Sequence, residues 1–289
     1  MNNSNKAKDI LRDLVPPVVL KGLNKLRSGS IDPKSNLEWE YIPEGWARLD
    51  RDANIKGWNV ESVLAAYQAN WSTFMENIDN TLPLGISPES GAQARTNLMF
   101  HNIMMVYGYA LALASHHKSA LSMLDWGGGI GHYYPIGQKL LPDVEIDYHC
   151  KDVPVLAEYG QQLFSQAHFY SDDSCLQRKY DFVLASASFQ YSQDWKLALK
   201  GLAKATDGYL LITRIPIVHQ VPGYVIVQRP YQYGYDTEYL CWCFNRAEFL
   251  SAANNLGLKL VREFVSQASP FVHNAPEQPE YWGFLFTSS

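Results

Sequence analysis

The sequence predicts an α/β fold: a mostly parallel sheet of seven strands, preceded by a helical extension and carrying an inserted lid late in the chain. Three observations predict it. From Leu121 onward, short apolar runs alternate with stretches of helical periodicity, a pattern that parallel strands joined by crossover helices satisfy. The run from Leu121 to His132 reads Leu-Ser-Met-Leu-Asp-Trp-Gly-Gly-Gly-Ile-Gly-His, a strand ending in an acid, a tight turn and the start of a helix. Upstream, Val63, Leu64, Tyr67, Trp71, Phe74 and Ile78 recur on one face of a helix.

Taken in order, residues 1–36 read as a basic amphipathic segment and linker. Ile10, Leu11, Leu14 and Val15, then Val19, Leu23 and Leu26, fall at helical spacing on either side of Pro16-Pro17, with Lys21 and Lys25 on another face. Such a segment either lies on an anionic membrane surface or packs on the body of the protein or on a partner chain. Residues 37–118 are expected to form the helical extension. Trp39, Tyr41, Trp46 and Trp58 open it, Asn59 is placed to cap the helix bearing the Val63 to Ile78 stripe, and a second, strongly apolar helix is expected from Ala92 to Ser115. His101 and Asn102 make that second helix a buried one rather than a membrane span.

Residues 119–289 form the α/β domain. Strands are expected near 121–125, 144–150, 167–171, 181–186, 208–213, 258–265 and 281–287, and helices near 132–141, 154–165, 194–204 and 246–256. The interval 215–245 departs from the alternation. Rich in Tyr, Pro and β-branched residues, it reads as an inserted hairpin or lid.

Composition narrows the function. The 289 residues are 47% hydrophobic and 18% charged, ordinary for one large globular domain with additions. The net charge of −5 argues against a nucleic-acid partner, since there is no excess of Lys and Arg to neutralise phosphates. Residues 1–30 alone carry six basic and two acidic side chains, which leaves −9 for the rest. Cys150, Cys175, Cys241 and Cys243 show no C-x-x-C spacing, so reduced thiols are expected and no metal site is. The early apolar run from Leu14 to Leu20 is short and broken by prolines, and nothing reaches the ~18 apolar residues of a membrane span. A cytoplasmic protein is expected, with peripheral contact at the inner face of the membrane through the N-terminal segment as an option.

The glycine turn marks the ligand site. Gly127, Gly129 and Gly131 allow a sharp turn and leave no Cβ between main chain and ligand. A dinucleotide fingerprint would place its third glycine at position 132, which is His132, so a nicotinamide or flavin dinucleotide is disfavoured. In open α/β sheets the ligand lies beyond the carboxyl ends of the strands. After the second strand stands Asp152, able to accept two ribose hydroxyls or merely to cap the next helix, with Asp147 the weaker candidate. Asp172 follows the third strand; Ser186, Gln190 and Tyr191 follow the fourth; and Arg214 follows the fifth, where a cation suits an anionic or hydroxyl-rich acceptor or serves a plain ion pair. In the interval after it, Tyr224, Tyr231, Tyr233, Tyr235, Tyr239 and Trp242 offer flat faces with polar tips, suited to a sugar ring or to packing the lid in place. No G-x-S-x-G, H-E-x-x-H or P-loop pattern occurs in the sequence.

The spacing Asp125-x-Gly127-x-Gly129-x-Gly131 resembles motif I of the class I S-adenosylmethionine-dependent methyltransferases. That resemblance implies the Rossmann-like seven-stranded methyltransferase sheet, S-adenosyl-L-methionine as cofactor, and cofactor contacts from Asp125, Gly127, Gly129, Gly131, Asp152, Asp172 and Ser186. A closer resemblance, from about Trp46 onward, is to a methyltransferase family found in bacterial surface-polysaccharide gene neighbourhoods. It rests on Leu124 to Gly128, Gly131, Tyr134, Asp152, Ser186 to Tyr191 with Phe189 in place of a leucine, Arg214-Ile215-Pro216, Val227-Gln228 and Tyr239 to Trp242. It implies O-methylation of a saccharide or glycan intermediate, with Gln190, Tyr191, Arg214, Gln228, Tyr239 and Trp242 on the acceptor side. Two family acids are missing, at Thr213 and at Gly223-Tyr224, so the proton acceptor falls to the available imidazoles, His219 and His132. Methylation of a natural-product small molecule and a cofactor-bound but inactive scaffold in a glycan-assembly complex are the alternatives.

Overall fold

A computed structural model describes residues 38–81, 83–85, 87–89, 97–267 and 271–288. The expected basic segment and linker at 1–36 lie outside the described residues, as does the expected start of the second helix at Ala92. Among the described residues, ten strands make one sheet: β1 (Trp39–Tyr41), β2 (Ala120–Trp126), β3 (Glu145–Lys151), β4 (His168–Tyr170), β5 (Tyr180–Ser186), β6 (Thr206–Val218), β7 (Tyr224–Gln228), β8 (Tyr239–Asn245), β9 (Lys259–Gln267) and β10 (Glu280–Thr287).

Seven of these form a Rossmann-like sheet. β4, β3, β2, β5 and β6 lie side by side and parallel; β10 runs antiparallel beside β6, and β9 antiparallel beside β10. The central strand β2 is covered on both faces, which is why it reads as a nearly unbroken apolar run. Leu121 and Met123 face one core, where they meet α1 (Glu61–Asp79), α2 (Leu98–Ala114) and α3 (Tyr133–Leu140). Leu124 and Trp126 face the other, packed by α5 (Trp195–Ala205) and α6 (Arg246–Asn255). α4 (Pro154–Leu163) crosses from β3 to β4. A fully buried leucine such as Leu121 contributes roughly 1.5–3 kcal/mol. All four cysteines are free and buried, and no described helix is long and apolar enough to cross a membrane.

Side chains cap the starts of α2, α5 and α6. Asn97 Oδ1 accepts from the amides of Met99 and Phe100, Asp194 from Leu197, and Asn245 from Glu248. Asn59 does not cap α1, which begins after Val60; its Oδ1 accepts instead from the amide of Val155 at 3.3 Å, tying the loop before α1 to α4.

One expectation is corrected. Residues before the first sheet strand are not purely helical, because β1 joins the sheet edge through antiparallel pairing with β7. Of the hairpin or lid expected over 215–245, the structure has the hairpin: β6 runs on to Val218, β8 pairs in parallel with its last residues, and β7 pairs antiparallel with β8. This hairpin is hydrogen-bonded into the sheet and forms a fixed wall. Within β6, Ile212 pairs with Phe284 and Ile215 with Trp282, so Thr213 and Arg214 together oppose Gly283. That extra residue is a β-bulge.

Candidate active site

The chain leaves β2 at the point where strand order in the sheet reverses, and turns there over the strand ends. Gly127, Gly129 and Gly131 take φ values of +75°, +62° and +86°. A Cβ on Gly127 would lie 2.1 Å from Ser188 Cβ, and one on Gly129 would lie 3.0 Å from Tyr67 Oη. Only glycine gives both the conformation and the room, and Gly127 and Gly129 line a cavity of about 1170 Å³. Gly131 sits behind the turn, where a Cβ would meet the ring of Phe169.

Asp152 braces this turn. Its Oδ2 accepts from the amide of Gly129 at 2.6 Å and its Oδ1 from that of Val153 at 2.7 Å, so each oxygen keeps a lone pair for a ligand. Burial pushes this carboxyl above the ordinary range, against the pull of those two amides. Asp125 lies beneath the turn rather than in the cavity wall. It is fully buried, its Oδ2 accepts from Tyr148 Oη at 2.6 Å, and burial pushes it up to about 7. Asp125 therefore supports the turn from below.

The opposite wall comes from the ends of β5 and β6 and from the hairpin. Ser186 shares a hydrogen bond with Tyr133 Oη, Ser188 Oγ donates to the carbonyl of Trp126, and Gln190 Nε2 donates to the carbonyl of Arg214. Arg214 has φ +60° inside the bulge, and neighbouring Ala187, whose amide donates to Thr213, has φ +54°. Non-glycine residues in this region cost roughly 1–2 kcal/mol each. The bulge brings Arg214 into the cavity wall. Tyr191 Oη donates to Gln228 Oε1 at 2.9 Å, which leaves the Nε2 donors of Gln228 for a ligand. Trp58 stacks on Tyr239 with centroids 4.3 Å apart and meets Tyr191 edge-on at 5.2 Å.

Three polar atoms of this wall are buried without a hydrogen-bond partner among the described residues: Trp46 Nε1, Trp58 Nε1 and Gln190 Oε1. Each such group costs about 1–3 kcal/mol until something pairs with it. Their gathering at one cavity points to a polar ligand.

The structure thus brings together Gly127, Gly129, His132, Asp152, Ser186, Gln190, Tyr191, Arg214, Gln228 and Tyr239 around one cavity. It does not bring in the others. Asp172 is spent on the amide of Ser174, starting a 3-10 turn, and its neighbour Asp173 lines the cavity instead, accepting from Trp126 Nε1 and paired with Lys151. Asp147 lies part-way along β3, paired with Arg178 at 2.8 Å. Trp242 packs on Trp46 and donates to the carbonyl of Gln193. His219 lies outside the wall, paired with Glu280 at 3.5 Å; five residues of extended chain beyond Arg214, at ~3.3 Å each, carry it about 16 Å away. Of the hairpin aromatics, Tyr233, Tyr235 and Tyr239 line the cavity, while Tyr224 packs on Tyr41 and Tyr231 donates to Glu238. Sequence reasoning missed Trp58, Tyr67 and Glu89 as wall residues. Tyr67 shows in sequence only as part of a core stripe, and Glu89 as a lone acid in a Pro- and Gly-containing break.

No family model and no curated protein matches the sequence. Solved structures do. The chain is similar to the magnesium protoporphyrin IX methyltransferase of Synechocystis PCC 6803 with bound SAH, at 12% identity and a TM-score of 0.46 over 80% of this chain and 100% of that one. It is similar to the 1,6-didemethyltoxoflavin-N1-methyltransferase of Burkholderia thailandensis, solved with its acceptor and S-adenosylhomocysteine, at 14% identity and a TM-score of 0.43 over 67% and 81% of the two chains. A third is Streptomyces venezuelae DesVI, at 13% identity and a TM-score of 0.45 over 65% and 91%.

Proposed function

We propose that this chain is an S-adenosylmethionine-dependent methyltransferase that O-methylates a saccharide or glycan intermediate of surface-polysaccharide assembly. The observation that carries the reading is the cavity itself. At about 1170 Å³ it exceeds the roughly 300–1,000 Å³ of single-ligand pockets, so a cofactor and an acceptor fit side by side. A scaffold without turnover needs no second compartment.

The residues present fit the cofactor. Gly127 and Gly129 offer main chain free of Cβ atoms, the cradle a methionine chain needs, and Asp152 keeps two lone pairs for ribose hydroxyls. When bound, the cofactor supplies an electrophilic methyl group on a sulfonium. The protein's own part is to hold and orient. Arg214 and Gln228 present donors to hydroxyl or anionic groups of the acceptor, Trp58, Tyr191 and Tyr239 offer flat faces to its ring, and this aromatic wall excludes water from the reacting centre.

Calorimetry with S-adenosylmethionine and S-adenosylhomocysteine tests the reading. Both are expected to bind, and Asp152→Asn is expected to weaken both by about tenfold to a hundredfold, the loss of ~1.5–3 kcal/mol of charge-assisted hydrogen bonding. A folded protein that binds neither refutes the assignment. Transfer of labelled methyl to extracted glycan intermediates and sugar nucleotides then identifies the acceptor.

A further inference from the structure

We propose that Glu89 is the general base of this site, taking the proton of the acceptor hydroxyl. The inference rests on the methyltransferase reading above and names the group that the sequence leaves to His219 or His132. Neither imidazole serves. His219 is outside the cavity and paired with Glu280. His132 is in the wall, but burial and the neighbouring guanidinium of Arg214 push it down to about 3, so proton uptake there is opposed.

The other carboxylates of the wall are already engaged. Asp152 is bonded to two amides, Asp173 is paired with Lys151 and accepts from Trp126, Asp194 caps α5, and Glu38 accepts from Gln232. Glu89 makes no ion pair among the described residues, and the groups that engage its carboxylate are phenols: Tyr67 Oη donates to Oε1 at 2.8 Å, and Tyr235 lies beside it. Its main chain is braced: Asn70 Nδ2 donates to its carbonyl at 3.2 Å, and its amide donates to Ser87 Oγ at 3.2 Å. The carboxylate is thus placed by α1, not left to a loop.

Its position is the junction of the two halves of the cavity. Tyr67, which holds it, also covers Gly129 of the turn. The groups that face Glu89 are Tyr67 from α1, Asp152 beyond β3, Tyr191 from the turn after β5, and Tyr233, Tyr235 and Tyr239 from the hairpin. Tyr235, from the hairpin, reaches the same carboxylate from the other side of the cavity.

The step balances without a further reactant. The acceptor oxygen forms its new bond to the methyl carbon with its own electron pair, the S–C bonding pair stays on sulfur, and the hydroxyl proton passes to Glu89 and then to solvent. The sulfonium charge is lost as the proton is gained by the carboxylate.

Glu89→Gln and Glu89→Asp test this, with S-adenosylmethionine affinity measured by calorimetry, folding by thermal melting, and methyl transfer to extracted glycan intermediates and sugar nucleotides. Glu89→Gln is expected to lower kcat about 10²–10³-fold, as general-base removal does, to keep cofactor affinity within about twofold, ~0.4 kcal/mol, and to abolish the acid limb of the kcat–pH profile. Glu89→Asp is expected to restore part of kcat and the acid limb. Three results overturn the proposal: turnover of Glu89→Gln within about threefold of native, loss of cofactor affinity in step with turnover, or a rate loss that leaves the pH profile unchanged. A native chain that binds no cofactor refutes the underlying methyltransferase assignment instead, and one that binds it and methylates nothing in the pool refutes the saccharide acceptor, results distinct from all three.

Discussion

Replacing Asp125 by asparagine turns a pH-dependent cost into a constant one. Asp125 is fully buried, with Oδ2 accepting from Tyr148 and Oδ1 without a partner among the described residues. Burial moves its pKa from the ordinary 3.8 up to about 7. The folded protein therefore keeps a proton that the unfolded chain releases between those two values, so stability is full below about pH 4 and falls as pH rises through about 7. At 1.36 kcal/mol per pH unit the loss across the window is roughly 4 kcal/mol. Asparagine still accepts the Tyr148 hydrogen bond through its oxygen, while its amide nitrogen faces the unpaired position and costs about 1–3 kcal/mol at every pH. Urea unfolding of both proteins at a series of pH values from about 4 to about 8 separates the two effects, because the constant cost cancels in the change with pH. The variant is expected to gain about 4 kcal/mol on the native protein over that range. Stability curves that stay parallel within about 1 kcal/mol would show that Asp125 is not a buried charge above pH 7, and would refute the account of the turn's support.

Gly127→Ala combines a left-handed conformation with a Cβ overlapping Ser188, so it is expected to destabilise the protein by about 2–5 kcal/mol, read as a lowered Tm in thermal melting. Arg214→Ala is expected to reduce methyl transfer while leaving S-adenosylmethionine affinity within about twofold, roughly 0.4 kcal/mol; Arg214→Gly relieves the backbone strain as well, so it should be the more stable of the two and equally impaired. Equal loss of cofactor binding and turnover in Arg214→Ala, by calorimetry and radiolabel transfer, would mark Arg214 as a structural brace.

The sheet was legible wherever both faces of a strand are buried. β2, β5 and β10 announce themselves as apolar runs because Met123 and Leu124, or Phe182 and Val183, enter cores on opposite sides. The glycine turn was legible because a left-handed backbone restricts residue choice. β6 was read short, ending at 213, since Pro216 lacks an amide donor and reads as a strand breaker; the bulge at Thr213 and Arg214 and the pairing of Pro216 with Tyr281 carry the strand past it. That one misreading also sent His219 to the site, because a histidine just after a strand end is a candidate only if the strand ends there. Glu89 was not legible at all. Its partner Tyr67 is 22 residues away and lies on a helix whose stripe reads as core. Asp172 and Asp173 are adjacent acids with opposite fates, settled by which one starts a 3-10 turn, a choice that sequence does not rank.

The distribution of left-handed backbone divides the cavity by what each side must present. Residues 127, 129 and 131 adopt positive φ with glycine, at no steric cost, and two of them give main chain to the wall. Ala187 and Arg214 adopt the same region with a Cβ, at about 1–2 kcal/mol each. At Arg214 the conformation is enforced from both sides: β5 pairs Ser186 with Thr213, and β10 pairs Phe284 with Ile212 and Trp282 with Ile215. Glycine at 214 would remove the strain and also the guanidinium. A strained arginine fixed by two neighbouring strands is consistent with a side that must reach its ligand with a side chain, whereas glycines suit a side that meets its ligand with backbone. The first description fits an acceptor recognised by charge and hydroxyl groups, and the second fits a cofactor laid along the turn.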